Sequence, residues 1–381
     1  MKFTKPGILA LLCALTYSLN ASAYETTAKN AILMDFDTGE YLFEKNITEA
    51  VPPASMSKLM TVYILMSKIK DGSIKLDDTF SVSENAWRKG GAATGGSTMF
   101  LSIGDNVSVE NLIKGIVIQS GNDACIVVAE NISGSEDDFA TLMNKTAQQL
   151  GLKNSSFANS TGLPHPDQKM SMEDLAILSR EIIKEFPDLY GYFSEKEFTY
   201  NNIKQGNRNP LLYTMKGADG LKTGHTEEAG FCLAASAIRG GRRLIGVMSG
   251  MTSNKERSEE SERLISWGFR EFNNYKLFDK GQTLAVAKVW YGKEKTVDLT
   301  VDEDVIKTLR VAQIEDVKVT AEFDEPVKAP IIAGTKLGEL KIGIKDSDPL
   351  ILPLVAAKDV QKIGLWGRFW ANVKYFVFGA K

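Results

Sequence analysis

Three short motifs in a fixed order constrain this chain more than anything else in it: Ser55-Met56-Ser57-Lys58, Ser120-Gly121-Asn122 and Lys222-Thr223-Gly224. Each is weak alone, since a second S-x-x-K runs from Ser67 to Lys70 and a second S-x-N from Ser83 to Asn85. As a set they require a fold that gathers a helix start, a turn after an apolar helix and a strand edge from across about half the chain. The chemistry such a set supports is serine acyl transfer with lysine, rather than histidine, as the base.

The local contexts suit that reading. Pro52-Pro53 bars a helix until Ala54, after which 57–70 runs with helical periodicity. Ser55 thus stands at a helix start, where backbone N–H groups and the helix dipole favour charge developing on an attacked carbonyl oxygen. Lys58 lies one turn on, within reach of the Ser55 hydroxyl. A lysine is a base only when neutral, so burial or a neighbouring cation must lower its pKa, and Lys222 is the candidate cation. Ser120 and Asn122 follow an apolar helix at 112–118. A hydroxyl there can pass a proton to a leaving amine and an amide can hold a substrate carbonyl, although S-G-N is also ordinary helix-stop chemistry.

Lys222 and Thr223, carried on a strand, would present both side chains along a cleft edge, with Gly224 letting a substrate backbone approach closely. His225 is expected to act through its backbone N–H, because nothing around Ser55 resembles a G-x-S-x-G elbow. Arg257, amid Glu256, Glu259, Glu260 and Glu262, reads equally as an exposed helix ion pair and as a carboxylate fork. The glycine-rich stretch 90–96 has no Lys-Ser/Thr ending and reads as a mobile rim loop, not a phosphate loop. His165 is a loop histidine.

The rest of the chain frames this site. Residues 1–23, with Lys2 and Lys5, an apolar run at 8–15 and Ala21-Ser22-Ala23, read as a signal peptide cleaved near Ala23, too short to span a bilayer. Cys125 and Cys232 lie in apolar stretches and read as buried thiols. Two histidines supply too few ligands for a zinc hydrolase, and a net charge of −3 leaves no footprint for nucleic acid.

At 381 residues, 43% hydrophobic and 24% charged, the chain suits two globular domains. Strands are expected at 31–36 and 41–44 across Asp37-Thr38-Gly39, and at 231–238 and 243–248 about Gly240-Gly241. Helices are expected at 109–119, 122–132, 137–150, 172–186 (with Ser171 as N-cap) and 255–272. Beyond 273 the chain breaks into β-branched runs at 284–289, 296–301, 317–321, 341–344 and 350–354, a small β-rich domain. In the tail, Leu365, Trp366, Phe369, Trp370, Val373, Phe376 and Val377 fall within an arc of about 140° at about 100° per residue. That is an amphipathic helix lying on a membrane surface, or else one docked on the β domain. The expected division is a signal peptide at 1–23, a catalytic domain at 24–272, a β-rich domain at 273–360 and the amphipathic helix at 361–381.

With the local wording Gln119-Ser120-Gly121-Asn122-Asp123-Ala124-Cys125, Asp219-Gly220-Leu221-Lys222-Thr223-Gly224-His225 and Ser266-Trp267-Gly268-Phe269-Arg270, the chain resembles the penicillin-binding protein family. Within it, the resemblance is to the low-molecular-mass D-alanyl-D-alanine carboxypeptidases of the type-5 kind. The resemblance implies an α/β fold: a penicillin-binding/serine β-lactamase-like catalytic domain, with an antiparallel sheet flanked by helices, then a small β-rich domain and a C-terminal amphipathic helix. It makes Ser55 the acylated nucleophile and Lys58 its base, with Ser120 and Asn122 as the second wall. Lys222 and Thr223, with Arg257, would hold a terminal carboxylate, and the backbone N–H groups of Ser55 and His225 would form the oxyanion hole.

The implied substrate is the peptidoglycan stem pentapeptide, with β-lactams as covalent inhibitors and no metal or cofactor. The implied place is the periplasm, with peripheral attachment to the outer face of the inner membrane through 362–379. A D,D-endopeptidase on peptidoglycan cross-links is chemically adjacent and stays open. A non-catalytic cell-wall scaffold is opposed by the intact Ser55, Lys58 and Lys222. A class A β-lactamase would need an E-x-x-L-N setting, where this chain has Glu173-Asp174-Leu175-Ala176, and Asp174 is given no catalytic role.

Overall fold

Along the strand Asn30–Asp35 every residue is buried, and alternate side chains part company. Ile32 and Met34 enter one apolar core, Ala31 and Leu33 another. A strand with two buried faces must lie inside a sheet covered on both sides. In the computed structural model, which describes residues 24–345 and 348–378, it is the second strand of a five-stranded antiparallel sheet. The order is Tyr41–Lys45, Asn30–Asp35, Arg242–Met251, Gly230–Arg239, Ala218–Thr226. Helices Lys58–Lys70, Val109–Val117, Asn122–Ser133, Glu136–Gln149 and Met172–Glu185 pack on one face, and Asn254–Glu271 covers the other through Leu264, Ile265 and Trp267. This is the expected helix-flanked antiparallel sheet. The signal peptide expected at 1–23 lies outside the described residues.

Local chemistry sets the boundaries. The hairpin at Gly240-Gly241 uses two positive φ angles, 58° and 83°, which glycine adopts without penalty. The Ser171 hydroxyl accepts the Asp174 N–H at 3.1 Å, the expected N-cap. After Glu271 the chain runs without a turn into the strand Phe272–Phe278, which pairs with Val305–Arg310. The sequence reading extended the helix to 272 and missed this ribbon, because no glycine or proline marks the change and Asn273-Asn274 reads as loop.

The ribbon is bolted to the central sheet through Asp35. That carboxylate accepts from Arg242 Nε at 2.7 Å, Asn274 Nδ2 at 3.1 Å and the N–H groups of Asp37 and Thr38 at 3.0 and 3.1 Å. Beyond it lies a six-stranded sheet ordered Lys318–Phe323, Lys336–Gly343, Leu350–Ala356, Thr296–Thr300, Ala285–Trp290, Val327–Lys328, with its own core of Leu299, Leu340, Ile342 and Leu354. The tail forms the helix Leu365–Phe378, from which Trp366 is 80% and Phe376 93% exposed. The Asn372 amide on its polar side meets the Tyr291 hydroxyl. Among the described residues no helix is long and apolar enough to cross a membrane.

Candidate active site

Ser55 sits in a 3₁₀ turn, Ala54–Ser57, that leads directly into the helix Lys58–Lys70. Its hydroxyl is half-buried, whereas Lys58 is fully buried one turn on. Lys58 Nζ stands 2.8 Å from Ser55 Oγ and donates to the Thr161 carbonyl at 2.6 Å. Loop 159–168 seals this pair from below: Thr61 Oγ1 donates to Ser160 O at 2.7 Å and Gln168 Nε2 to Ser57 Oγ at 2.5 Å. Gly162 (φ 77°) is what allows the approach, since a Cβ there would lie 2.1 Å from the Ala54 carbonyl.

Burial brings the Lys58 amine down to about 8. Lys222, equally buried, is held well below the ordinary lysine value by burial, then by the charges of Lys58 and Arg208. Arg208 is a cation that lowers Lys58, and Lys222, expected in that role, is itself lowered by the Lys58 charge.

The second wall is built around a strained residue. Ser120 has φ 65°, uncommon outside glycine, and its buried Oγ has no hydrogen-bond partner among the described residues. Gly121 N–H donates to Gly115 O at 2.9 Å, and Asn122 N–H to Ser97 O at 2.8 Å. Asp123 then pins the preceding loop 98–101, accepting from Thr98 Oγ1 at 2.6 Å and from the Met99 and Leu101 N–H groups at 3.0 and 3.2 Å.

The third wall is the edge strand Ala218–Thr226, which carries Lys222 opposite Ala234, Thr223 opposite Leu233 and Gly224 opposite Cys232. Gly224 also serves a close approach within the protein. A Cβ at Gly224 would meet Pro53 O at 3.0 Å and Ala54 Cβ at 3.1 Å, so its smallness lets the strand close on the turn that bears Ser55. His225 is exposed, its ring 4.0 Å from that of Phe231, and no carboxylate pairs with it among the described residues. Arg257 is buried, and among the described residues it forms no ion pair. Its Nη2 donates to Asn254 Oδ1 at 2.5 Å, its Nη1 to Gly224 O at 3.4 Å, and burial lowers its pKa to about 10. The exposed helix ion pair is therefore the wrong alternative for Arg257. The neighbouring Glu259 and Glu260 pair with Lys255 and Arg263 instead.

These walls enclose a cleft of about 350 Å³ lined by Ser55, Ser120, Thr223, Gly224, His225 and Arg257, with Gly95, Gly96, Ser97, Arg208 and Phe231. Among the described residues no acidic side chain lines it. Lys58, Lys222 and Asn122 are buried behind that lining. The glycine stretch expected at the rim does supply Gly95 and Gly96. Arg208 and Phe231 were missed: Arg208 stands in a polar Asn-Arg-Asn turn that carries no recognisable signal. A larger surface hollow, about 640 Å³ near Phe323 and Leu337, holds none of the motif residues. Glu173 accepts from the Tyr41 hydroxyl at 3.1 Å and is absent from the cleft lining, and Asp174 is tied to Asn154 N–H and Ser155 Oγ, both at 2.7 Å. Cys125 and Cys232 are free, buried thiols, raised by burial to about 12 and about 11.

A serine beside a buried lysine, facing a cation-rich and acid-free cleft on a helix-flanked antiparallel sheet, defines a serine acyl-transfer enzyme of the penicillin-binding class. More narrowly, the chain belongs to the D-alanyl-D-alanine carboxypeptidase family, Peptidase_S11, which it matches over residues 18–253. Residues 272–362 match the penicillin-binding protein 5 C-terminal domain. The chain is 39% identical to the D-alanyl-D-alanine carboxypeptidase DacC of Escherichia coli (strain K12), over 90% of this chain and 86% of that protein. The structure of penicillin-binding protein 5 from Haemophilus influenzae superposes with a TM-score of 0.80 at 37% identity, covering 89% of this chain and 99% of that one. Penicillin-binding protein D2 from Listeria monocytogenes, in its ampicillin-bound form, matches with a TM-score of 0.56 at 28% identity, over 65% of this chain and 98% of its own.

Proposed function

We propose that this chain is a serine D-Ala-D-Ala carboxypeptidase that removes the terminal D-alanine from peptidoglycan pentapeptides through an acyl-enzyme on Ser55. The observation that carries the reading is the 2.8 Å approach of the buried Lys58 amine to Ser55 Oγ. Neutral Lys58 takes the Ser55 proton as Oγ attacks the carbonyl of the penultimate D-alanine. The backbone N–H groups of Ser55 and His225 receive the oxyanion. Ser120 passes its proton to the departing amine of the last D-alanine and takes in its place the proton Lys58 received, which leaves Lys58 neutral again, and Asn122 steadies the peptide on the same wall. The terminal carboxylate of the substrate rests among Lys222, Thr223 and Arg257. Water activated by the same lysine then hydrolyses the ester.

β-Lactams acylate the same serine, a reading supported by the ampicillin-bound relative from Listeria. The enzyme works in the periplasm after loss of 1–23, with catalytic residues drawn from 24–272 and a β-rich domain at 273–360. Its tail rests on the outer face of the inner membrane through 362–379. The exposed Trp366, Phe369, Trp370 and Phe376 support that contact. The test is to offer the purified protein a pentapeptide ending in D-Ala-D-Ala and, separately, a cross-linked peptide dimer. Release of free D-alanine from the first, with the dimer intact, is the expected result. Cleavage of the dimer alone would replace this reading with the endopeptidase.

A further inference from the structure

Two of the three walls are joined across the cleft by a tripeptide outside every motif. Asn207, Arg208 and Asn209 connect the strand Ile203–Gly206 to the short helix Leu211–Thr214. Asn207 and Asn209 are buried anchors: Asn207 Nδ2 donates to Glu195 O at 2.9 Å, and Asn209 Nδ2 to Gly220 O at 2.7 Å, near the start of the Lys222 strand. Arg208 between them is exposed and lines the cleft. Its Nη1 donates to Ser97 Oγ, and the Ser97 carbonyl accepts the Asn122 N–H at 2.8 Å. A continuous path thus runs from Gly220 through Asn209, Arg208 and Ser97 to Asn122. No acidic side chain pairs with Arg208 among the described residues, so its charge is left facing the cleft.

We propose that Arg208 is a positioning residue for acyl transfer, a clamp that fixes the Ser120–Asn122 wall relative to the Lys222 strand through its bond to Ser97. This rests on the Ser55 acyl-enzyme reading. An exposed Arg–Ser hydrogen bond contributes little to folding stability. Its leverage lies in geometry, because a displacement of about 1 Å between groups that act together slows a reaction about a hundredfold. The charge adds a second, separable effect. The groups facing Lys58 are Cys125 and Asp123 from the helix Asn122–Ser133, Lys222 from the strand and Arg208 from the turn. Removing the Arg208 charge therefore lets Lys58 hold its proton to higher pH.

The test compares Arg208→Gln, Arg208→Lys, Ser97→Ala and the double variant Arg208→Gln/Ser97→Ala with the wild type, following fluorescent-penicillin acylation and D-alanine release between about pH 6 and pH 9. Arg208→Gln and Ser97→Ala each lower the acylation rate constant about tenfold at unchanged melting temperature, and the double variant is no slower than Arg208→Gln. The acid limb moves to higher pH in Arg208→Gln and stays in place in Ser97→Ala and Arg208→Lys. Losses that multiply in the double variant, or an Arg208→Gln protein with wild-type rate and an unmoved limb, would overturn the clamp. A wild-type protein that penicillin does not label would overturn the acyl-enzyme reading, and the clamp with it.

Discussion

A lysine amine buried beside a serine hydroxyl is a base only where it is neutral, and burial places that boundary for Lys58 at about 8. Below it the protonated amine cannot accept the Ser55 proton. The acylation rate constant is therefore expected to rise with pH through about 8, falling about tenfold for each unit below it. A profile flat from about pH 6 to pH 9 would show that Lys58 is not the base. Ser120 holds a strained φ with a hydroxyl that has no partner among the described residues, which marks it as placed for chemistry rather than stability. Ser120→Ala is accordingly expected to leave thermal unfolding within about 1 kcal/mol while slowing turnover about a hundredfold or more. The residues that share a motif were readable because their spacing follows from the chemistry. Arg208 was not, since its role comes from where a tertiary turn delivers it.

At the scale of elements, the nucleophile depends on how closely loop 159–168 can approach the 3₁₀ turn. Gly162→Ala would add a Cβ 2.1 Å from the Ala54 carbonyl at φ 77°, and is expected to destabilise by about 2 kcal/mol or more and to impair acylation. Gly72, at φ 79° with open space around it, is the control, with about 1 kcal/mol from the left-handed backbone alone and normal acylation. Equal effects in the two would show that the close approach is immaterial. The central elements were legible for physical reasons: the apolar run 31–34 marks the strand expected at 31–36 and found at Asn30–Asp35, and Ser171 writes a cap. The ribbon Phe272–Phe278 with Val305–Arg310 was hidden because its stability comes from partners far away in sequence. Gly224 was recognised as a necessary glycine, and the turn bearing Ser55 is one neighbour that requires its smallness. Local sequence reports that space is needed and not what fills it.

Across the whole molecule, Asp35 joins the catalytic sheet to the ribbon that leads into the β domain. It is completely buried, against an Arg242 side chain only 10% exposed. Asp35→Asn would leave the Arg242 charge without its partner, and is expected to lower unfolding free energy by about 3–5 kcal/mol in denaturant titrations. A change below about 1 kcal/mol would remove Asp35 from this role. At the other end, the tail helix turns Asn372 toward Tyr291 and leaves its tryptophans in solvent. Deleting 362–381 is expected to abolish co-sedimentation with anionic vesicles while D-alanine release continues at the wild-type rate. Persistent binding would place the membrane contact elsewhere.

The central claim is that Lys58 activates Ser55 for covalent attack. Intact-mass measurement after mixing with a penicillin tests it most directly. The account predicts one adduct per chain, mapped to the peptide holding Ser55, absent in Ser55→Ala and strongly slowed in Lys58→Met. An adduct on another residue, or labelling of Ser55→Ala at the wild-type rate, would contradict it.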